Sequence, residues 1–235
     1  MEKFVIKNIE RPSADVVEEY KTFDVSTVYE AQYKQGLMQP YLRPIQSGVT
    51  IAGPAVTVTC PAGDNLMIHA AVEVCKPGDI VVITTIGDSD SGMIGELIVS
   101  ALMKKGVAGM IMDAGIRDVK QLRELGFPVW TKAIHSQGTT KHRGGWVNVP
   151  TVCAGTIVNP GDLIVADDDG VVVVKKEDVE QTKQLTLNRY KKEEQTKEKI
   201  DAGQISIDFY DLRPVLEKEN VVYYEDMDAY KAKLK

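Results

Sequence analysis

The sequence has little cysteine, no long apolar run and no cluster of basic residues. Cys60, Cys75 and Cys153 are its three cysteines, an odd number without CxxC spacing, which argues against a disulfide framework and against a zinc site. No apolar run approaches the roughly 20 residues that a membrane-spanning helix needs. The first residues lack the apolar stretch and cleavage site of a signal peptide. We therefore expect a cytoplasmic protein without a membrane partner.

The charge balance is acidic, with 28 Lys and Arg residues against 34 Asp and Glu residues and a formal net charge of −6. Without basic clusters, this balance makes nucleic acid a poor candidate partner. The 43% hydrophobic content is close to the globular average and excludes general disorder. A chain of 235 residues suits one large domain or two small ones, and a single α/β core can use all of it.

Short β-rich runs alternate with helical stretches along the chain. Runs rich in β-branched residues predict strands at 55–59, 80–85, 107–112, 129–132 and 171–174. Helices are predicted at 13–21, 64–76, 93–105 and 118–125, with Asp64 as an N-cap and Gly106 and Gly126 as C-terminal stops. This alternation predicts an α/β fold with a largely buried sheet.

Two further features concern organisation. A Pro-Gly turn runs into an apolar strand twice, at 76–83 and 159–166, which hints at related halves but is too few copies for a tandem-repeat fold. Residues 178–202 are mostly Lys, Glu and Gln and predict a helix whose apolar stripe is too thin to dock firmly on one core. Such a helix is either solvent-exposed or lies against another subunit, and composition alone leaves both open.

Several common catalytic motifs are missing. The chain has no GxxxxGK[ST] phosphate loop, no GxGxxG after a strand, no GxSxG and no HExxH. His69, His135 and His142 lack the spacing of a multi-histidine metal site. His69 is expected to be a packed helix residue and His142 a solvated loop residue.

The segment 87–126 carries the most chemistry. A polar loop before the helix at 93–105 leaves the first-turn amides of Leu97 and Ile98 able to hold a carboxylate, although most such loops are ordinary capped helix starts. Gly115 permits a tight turn, and Arg117 and Asp118 fall at the carboxyl end of a strand, where α/β sheets place ligand crevices. A carboxylate suits Mg²⁺ or Mn²⁺, and a guanidinium forks onto a carboxylate or keto oxygen. By itself, this pair is indistinguishable from a surface ion pair.

The segment 95–118, GELIVSALMKKGVAGMIMDAGIRD, resembles the core of the 4-hydroxy-4-methyl-2-oxoglutarate/4-carboxy-4-hydroxy-2-oxoadipate aldolase family, which includes the regulator of ribonuclease activity A. The resemblance covers nearly the whole chain and is strongest to the carboxy-hydroxy-oxoadipate branch. Its other blocks are 8–11, 41–44, 63–69, 126–130, 149–155 and 166–171. It implies a layered α/β/β/α sandwich with a swivelling-domain-like core, assembled as trimers or hexamers. Residues 1–235 would form one aldolase-like domain, with 178–235 a helical arm on a neighbouring subunit.

The resemblance also implies a site. The family pattern is an acid, twenty residues and then Arg-Asp, here Glu96 followed by Arg117 and Asp118. Asp118 would bind Mg²⁺ or Mn²⁺, with waters completing the shell, and Arg117 would hold the pyruvoyl group. The substrate's carboxylate would lie on the stretch that begins at Gly95, held by the Leu97 and Ile98 amides. Glu193 would approach the metal of a neighbouring subunit.

Two residues depart from the family pattern. Glu96 stands where this branch commonly has Asp, so its reach to metal-bound water differs, and Gln121 stands where an acid is frequent. Both departures affect the charge or reach of the site. Neither removes the Arg117 and Asp118 pair.

The activity implied is a metal-dependent pyruvate aldolase acting on a 4-hydroxy-2-oxo acid, with oxaloacetate decarboxylation as a second activity, because both reactions produce the pyruvate enolate. Glu96 is the candidate to relay a proton through metal-bound water. The alternative is a non-catalytic protein-binding homologue of the ribonuclease regulator type. Arg43, Lys141 and Arg143 are candidates for binding the distal carboxylates of the substrate, and the sequence does not choose among them.

Overall fold

The structure is a computed structural model that describes residues 2–234. Its strands are β1 (Phe4–Val5), β2 (Arg43–Pro44), β3 (Ile51–Pro61), β4 (Ile80–Ile86), β5 (Gly92–Ile94), β6 (Gly109–Ile116), β7 (Val129–Ile134), β8 (Trp146–Val147), β9 (Thr151–Cys153), β10 (Thr156–Val158), β11 (Leu163–Asp167) and β12 (Gly170–Val174). Its helices are α1 (Ala14–Tyr20), α2 (Val25–Ala31), α3 (Leu66–Val74), α4 (Glu96–Lys104), α5 (Val119–Leu125), α6 (Val179–Asp201), α7 (Ser206–Phe209), α8 (Arg213–Lys218) and α9 (Met227–Lys233), with a 3₁₀ helix at Lys176–Asp178.

The long strand β3 connects two parts of the sheet. Its residues 55–61 pair in parallel with β4, and its residues 51–54 pair antiparallel with β11. From β4 the parallel order continues through β6 to β7. The sheet is therefore mixed, and the α/β class predicted from the alternation of strands and helices is confirmed.

The two Pro-Gly turns lead into the strands on either side of β3. In each turn a buried aspartate accepts a hydrogen bond from the backbone N–H three residues earlier, Asp79 from Lys76 at 2.7 Å and Asp162 from Asn159 at 2.8 Å. These bonds close the turns and set the start of β4 and β11. The repeated pattern thus reflects two equivalent turns flanking one strand.

The sheet separates two apolar clusters because strand side chains alternate between its faces. On β4, Val81 and Ile83 lie in one cluster and Ile80 and Val82 in the other. Helices α3, α4 and α5 supply the first cluster, and the β11–β12 hairpin supplies much of the second. Helix α2 then packs against β11 and β12. This order of layers agrees with the α/β/β/α sandwich that the resemblance implied.

Most predicted elements are present, with local corrections. Helix α3 is preceded by Asn65 as its N-cap, so the assignment of Asp64 to that position was wrong. Gly115 lies inside β6 rather than in a turn, where a Cβ atom would come within 2.1 Å of the Asp90 carbonyl oxygen. The predicted loop before α4 contains the short strand β5. Gly106 and Gly126 follow α4 and α5 with positive φ, as predicted.

The chain divides into two compact units, Met1–Leu187 and Asn188–Lys235. The boundary falls inside α6, whose buried residues Val179, Thr182 and Thr186 all precede it. Only one of these three residues is apolar, and Ile200, which belongs to the predicted stripe, is exposed. Within residues 2–234, no helix has both the length and the apolar character needed to cross a bilayer. The three cysteines are free and buried.

Candidate functional site at the ends of β6 and α4

Asp118 occupies a strained position between β6 and α5. Its φ of 56° and ψ of 33° place a non-glycine residue in the left-handed region. It precedes α5, but its side chain makes no capping bond to that helix. Instead, Asp118 Oδ2 accepts a hydrogen bond from the backbone N–H of Glu96, the first residue of α4, at 3.2 Å. The unusual backbone conformation thus directs the carboxylate to the positive end of another helix.

Arg117 is anchored through its backbone and keeps its side chain accessible. Its N–H donates to the carbonyl of Ile94 at 2.9 Å, which fixes the end of β6 against β5. Arg117 Nε lies 3.8 Å from Asp118 Oδ2, and the two side chains are 48% and 43% exposed. An exposed contact of this length contributes little stability. Both charged groups therefore remain available to a ligand.

These residues open onto one pocket of about 130 Å³. Five of the residues predicted for the site line it, namely Gly95, Leu97, Ile98, Arg117 and Asp118. Asn65, His69, Met93, Ile94 and Lys141 complete the lining. The structure therefore brings most of the predicted site together at the start of α4 and the end of β6.

Glu96 and Glu193, the two other predicted site residues, are not part of the pocket lining. Glu96 is exposed and contacts Asp118 through its backbone N–H, and its side chain is not part of the pocket lining. Glu193 belongs to the C-terminal unit, where its Oε1 lies 3.4 Å from Arg189 Nε. The metal and proton-transfer roles assigned to these acids stay predictions.

The pocket lining also includes three polar residues that the sequence did not assign to this position, namely Asn65, His69 and Lys141. His69 was expected to be packed, but it is exposed and lies one turn after Asn65 on α3. Partial burial and the nearby charge of Lys141 lower the pKa of His69. Asn65 and His69 are four residues apart, so both lie on one face of the helix. This spacing is the sequence signal that could have indicated that both residues line the pocket.

The donor set suits a mostly hydrated divalent cation. Among residues 2–234, no three His, Cys, Asp or Glu side chains form a group that could enclose a metal ion. Asp118 supplies the one carboxylate among the residues that line the pocket. Mg²⁺ retains several waters and is commonly bound through one or two carboxylates, so Asp118 fits such an ion and does not fit a protein-enclosed one.

Together, the fold and the pocket define a mixed α/β protein in which a carboxylate, a guanidinium and a helix N-terminus line one small pocket. The chain belongs to the RraA-like family: the family model described as Aldolase/RraA matches residues 14–173. This assignment agrees with the resemblance found in the sequence.

Individual relatives extend the match. A protein of Halalkalibacterium halodurans named "Putative 4-hydroxy-4-methyl-2-oxoglutarate aldolase" is 30% identical over 196 residues, covering 83% of this chain and 93% of its own. A Burkholderia multivorans protein of the same name is 32% identical over 157 residues, which cover 66% of this chain and 95% of that protein. Among solved structures, the crystal structure of Streptomyces coelicolor RraAS2 is described as an unusual member of the RNase ES inhibitor RraA protein family. It is 27% identical to this chain with a TM-score of 0.74, and the match covers 81% of this chain and 99% of RraAS2.

Proposed function

We propose that the protein is a divalent-metal-dependent pyruvate aldolase that cleaves a 4-hydroxy-2-oxo acid. The observation that carries this proposal is the convergence of Arg117, Asp118 and the first turn of α4 on one small pocket. The names of the relatives from H. halodurans and B. multivorans support the same reaction class. The substrates proposed are 4-carboxy-4-hydroxy-2-oxoadipate and 4-hydroxy-4-methyl-2-oxoglutarate.

The first turn of α4 provides the anchor for the substrate's 1-carboxylate. The N–H groups of Leu97 and Ile98 have no intrahelical partner, because the first residues of an α-helix lack a preceding carbonyl at the required spacing. A carboxylate bound there is further stabilised by the helix dipole. Arg117 lines the same pocket, and its guanidinium is the proposed donor to the 2-oxo oxygen of the anchored substrate.

Asp118 is the proposed metal ligand. Mg²⁺ or Mn²⁺ held there would act as a Lewis acid that favours negative charge on the oxygens of the 2-oxo acid. The N–H of Glu96 fixes one oxygen of this carboxylate and so sets the orientation of the group.

In the proposed reaction the C3–C4 bond breaks, and its electron pair passes to C3 and the 2-oxo oxygen. The 4-hydroxyl group loses its proton as C4 becomes a carbonyl, and C3 takes up a proton to complete the methyl group of pyruvate. Arg117 accelerates this step if it stabilises the enolate charge more than the ground-state ketone. Glu96, exposed at the start of α4, is proposed to take up the hydroxyl proton.

The same enolate forms when oxaloacetate loses CO₂, so oxaloacetate decarboxylation is proposed as a second activity.

Glu193 is proposed to bring a further acid to the site from a neighbouring subunit of a trimer or hexamer. A subunit-bridging role is compatible with the absence of buried residues in the described part of α6 after Leu187.

A coupled pyruvate assay tests the proposal. Purified protein is incubated with 4-carboxy-4-hydroxy-2-oxoadipate, 4-hydroxy-4-methyl-2-oxoglutarate or oxaloacetate, before and after EDTA treatment. Pyruvate formation that EDTA abolishes and Mg²⁺ or Mn²⁺ restores supports the aldolase. If none of these substrates yields pyruvate with any divalent metal, the alternative of a non-catalytic binding protein is favoured, as the RNase inhibitor family of the RraAS2 structure suggests.

A further inference from the structure

The Pro-Gly turn before β11 borders a second cavity, which shares no lining residue with the pocket at the end of β6. Its volume is about 400 Å³, and its polar lining includes Asn148, Asn159, Asp162, Lys176 and Glu177. These residues come from the loop after β8, from the turn itself and from the 3₁₀ helix before α6. We call this space the β11-turn cavity.

The buried carboxylate of Asp162 lacks the counter-ion that its equivalent in the other Pro-Gly turn has. Asp79 closes the turn before β4 as Asp162 closes the turn before β11, and both residues are buried. Arg11 donates to the two oxygens of Asp79 at 2.7 and 2.8 Å and so compensates that charge. Among residues 2–234, no basic side chain forms such a pair with Asp162. A buried carboxylate without a cation is costly, so Asp162 has an unmet need for a positive charge.

Lys176 is the cation of the lining, but its charge is used by another acid. Its Nζ lies 2.9 Å from Glu10 Oε2, and only its backbone N–H donates to Asp162 Oδ1, at 3.1 Å. Burial raises the pKa of Asp162 against the opposing effect of its hydrogen bonds, and the charge of Glu177 raises it further. The lining thus holds three carboxylates and one ammonium group, which leaves an excess of negative charge.

Asn148 adds a buried acceptor without a donor. The residue is 2% exposed, its Nδ2 donates to the Ile6 carbonyl at 2.7 Å, and its backbone N–H donates to the Thr57 carbonyl at 2.8 Å. Its Oδ1 is buried and has no hydrogen-bond partner in the part of the chain that the structure describes. Because both nitrogens are engaged, the group left over is an acceptor, and only a donor can satisfy it.

The rest of the lining includes the apolar residues Ile6, Ile9 and Pro160. A volume of about 400 Å³ far exceeds the roughly 30 Å³ that one water molecule occupies in the liquid, so a bare ion would leave most of the space to water. Within residues 2–234, no three acidic, histidine or cysteine side chains form a group that could enclose a metal ion. The cavity therefore fits a cation that has N–H donors and a short hydrocarbon body.

We propose that the β11-turn cavity is a binding site for a small alkylammonium ion. The ammonium group takes, at Asp162, the place that the Arg11 guanidinium takes at Asp79. A second N–H of the same group donates to Asn148 Oδ1 after a small shift of the amide, and the alkyl group packs on Pro160. Because the cavity is separate from the pocket of the proposed aldolase, this inference does not depend on the proposed function.

Titration with n-butylammonium, followed by the backbone amide signals in NMR spectra, tests the site. The N–H groups of Asn159 and Lys176 donate to Asp162, so their signals should shift, whereas those of Leu97 and Ile98 in the other pocket should not. Tetramethylammonium and K⁺ carry the same charge without N–H donors. We expect both to bind about 10-fold more weakly, the factor for losing a hydrogen bond to a charged group.

Three substitutions test the residues of the cavity. Asp162→Asn removes the unpaired charge and should weaken n-butylammonium binding by about 10-fold. Lys176→Met releases Glu10 from its ion pair and should tighten binding by about 2- to 5-fold, as expected for one additional exposed charge. Glu180→Gln is the matched control, because Glu180 is an exposed acid on α6 outside the lining, and it should leave the affinity unchanged.

Equal binding of tetramethylammonium or K⁺ would show an unspecific attraction of cations and would overturn the site. Signal shifts that leave out Asn159 and Lys176, or an affinity that is unchanged in Lys176→Met, would overturn it as well. Circular dichroism checks the fold of each variant. If Asp162→Asn does not fold, the ligand series and Lys176→Met, which keeps the turn intact, decide the question.

Discussion

The carboxylate of Asp118 lies where a side chain on Gly95 would have to be. A Cβ atom built on Gly95 would come within 2.1 Å of Asp118 Oδ2. The backbone of Gly95 is extended, with φ of −150° and ψ of −166°, so its torsion angles alone do not require glycine. Gly95 is instead required by the close approach of the carboxylate, which couples the end of β6 to the start of α4.

This approach predicts the effect of Gly95→Ala. The added methyl group displaces the Asp118 carboxylate and breaks its bond with the Glu96 N–H, so metal affinity and aldolase activity should fall by about 10- to 100-fold, as for other groups that orient a metal ligand. Titration of Mn²⁺ followed by electron paramagnetic resonance measures the affinity.

Gly144→Ala is the matched control, because its Cβ would meet only the flexible side chain of Lys3, at 3.1 Å. Equal Mn²⁺ affinity in Gly95→Ala and wild type would show that the glycine does not position Asp118.

Two substitutions of Arg117 distinguish the effect of its positive charge on activity from the effect of its planar guanidinium group. Arg117→Ala should remain folded, since the side chain is 48% exposed, and should lose about 100- to 1000-fold in kcat/KM, as expected for a donor to a developing oxyanion. Arg117→Lys keeps the charge but loses the planar fork and should recover only part of the activity. Steady-state kinetics with circular dichroism as a folding control measure both variants. Wild-type turnover in Arg117→Ala would remove this residue from the mechanism.

Asp64 should stabilise the fold in a pH-dependent manner. Burial alone would raise its pKa, but hydrogen bonds from the His142 N–H, the Thr140 hydroxyl and the Leu66 N–H outweigh this effect and lower the pKa well below its ordinary value. Because the pKa is lower in the folded state, the stabilisation is complete above about pH 4, the unfolded value, and is lost progressively as the pH falls further.

Asp64→Asn is therefore expected to lower the free energy of unfolding by about 2 kcal/mol at pH 7, because the amide cannot accept all of these bonds. Urea denaturation at pH 7 and pH 3 should show a smaller difference between variant and wild type at the lower pH. A difference that grew on acidification would contradict this account of Asp64.

Arg11, which is partly buried, pairs with Asp79, and neither residue lines the pocket. Arg11 donates from Nε and from its terminal nitrogen to the two carboxylate oxygens, at 2.7 and 2.8 Å, and Asp79 is fully buried. Arg11→Met leaves the carboxylate uncompensated and should destabilise the fold by about 3 to 5 kcal/mol. Chemical denaturation measures this change, and kcat of the folded fraction should stay at the wild-type value. A loss below 1 kcal/mol would show that the Lys76 N–H alone is enough to satisfy Asp79.

The sheet and its main helices could be predicted because their signals are local. Strand β4 is an uninterrupted β-branched run, and Gly126 ends α5 in the left-handed conformation that few other residues adopt readily. Helix α2 was missed because its seven residues, VSTVYEA, include several with low helix propensity, and its stability comes from burial of Val25, Thr27, Val28 and Ala31.

The sequence predicted only those pocket residues that lie within the segment 87–126. Arg117 and Asp118 follow β6, and Leu97 lies in the first turn of the helix that follows β5, so their proximity is a consequence of the parallel pairing of β5 and β6. Lys141 comes from a distant loop, and its place in the pocket depends on the buried Asp64 binding that loop. Such a tertiary contact leaves no periodic pattern in the sequence.

Enolisation of pyruvate tests the central claim most directly, because it isolates the charge that Arg117 and an ion at Asp118 are proposed to stabilise. Proton NMR in D₂O follows the pyruvate methyl signal with wild type, Arg117→Ala and Asp118→Asn, each with Mg²⁺ and with EDTA. Our account predicts rapid loss of the signal only for wild type with the metal. Exchange at the uncatalysed rate in all samples, or exchange by wild type that persists in both variants, would contradict it.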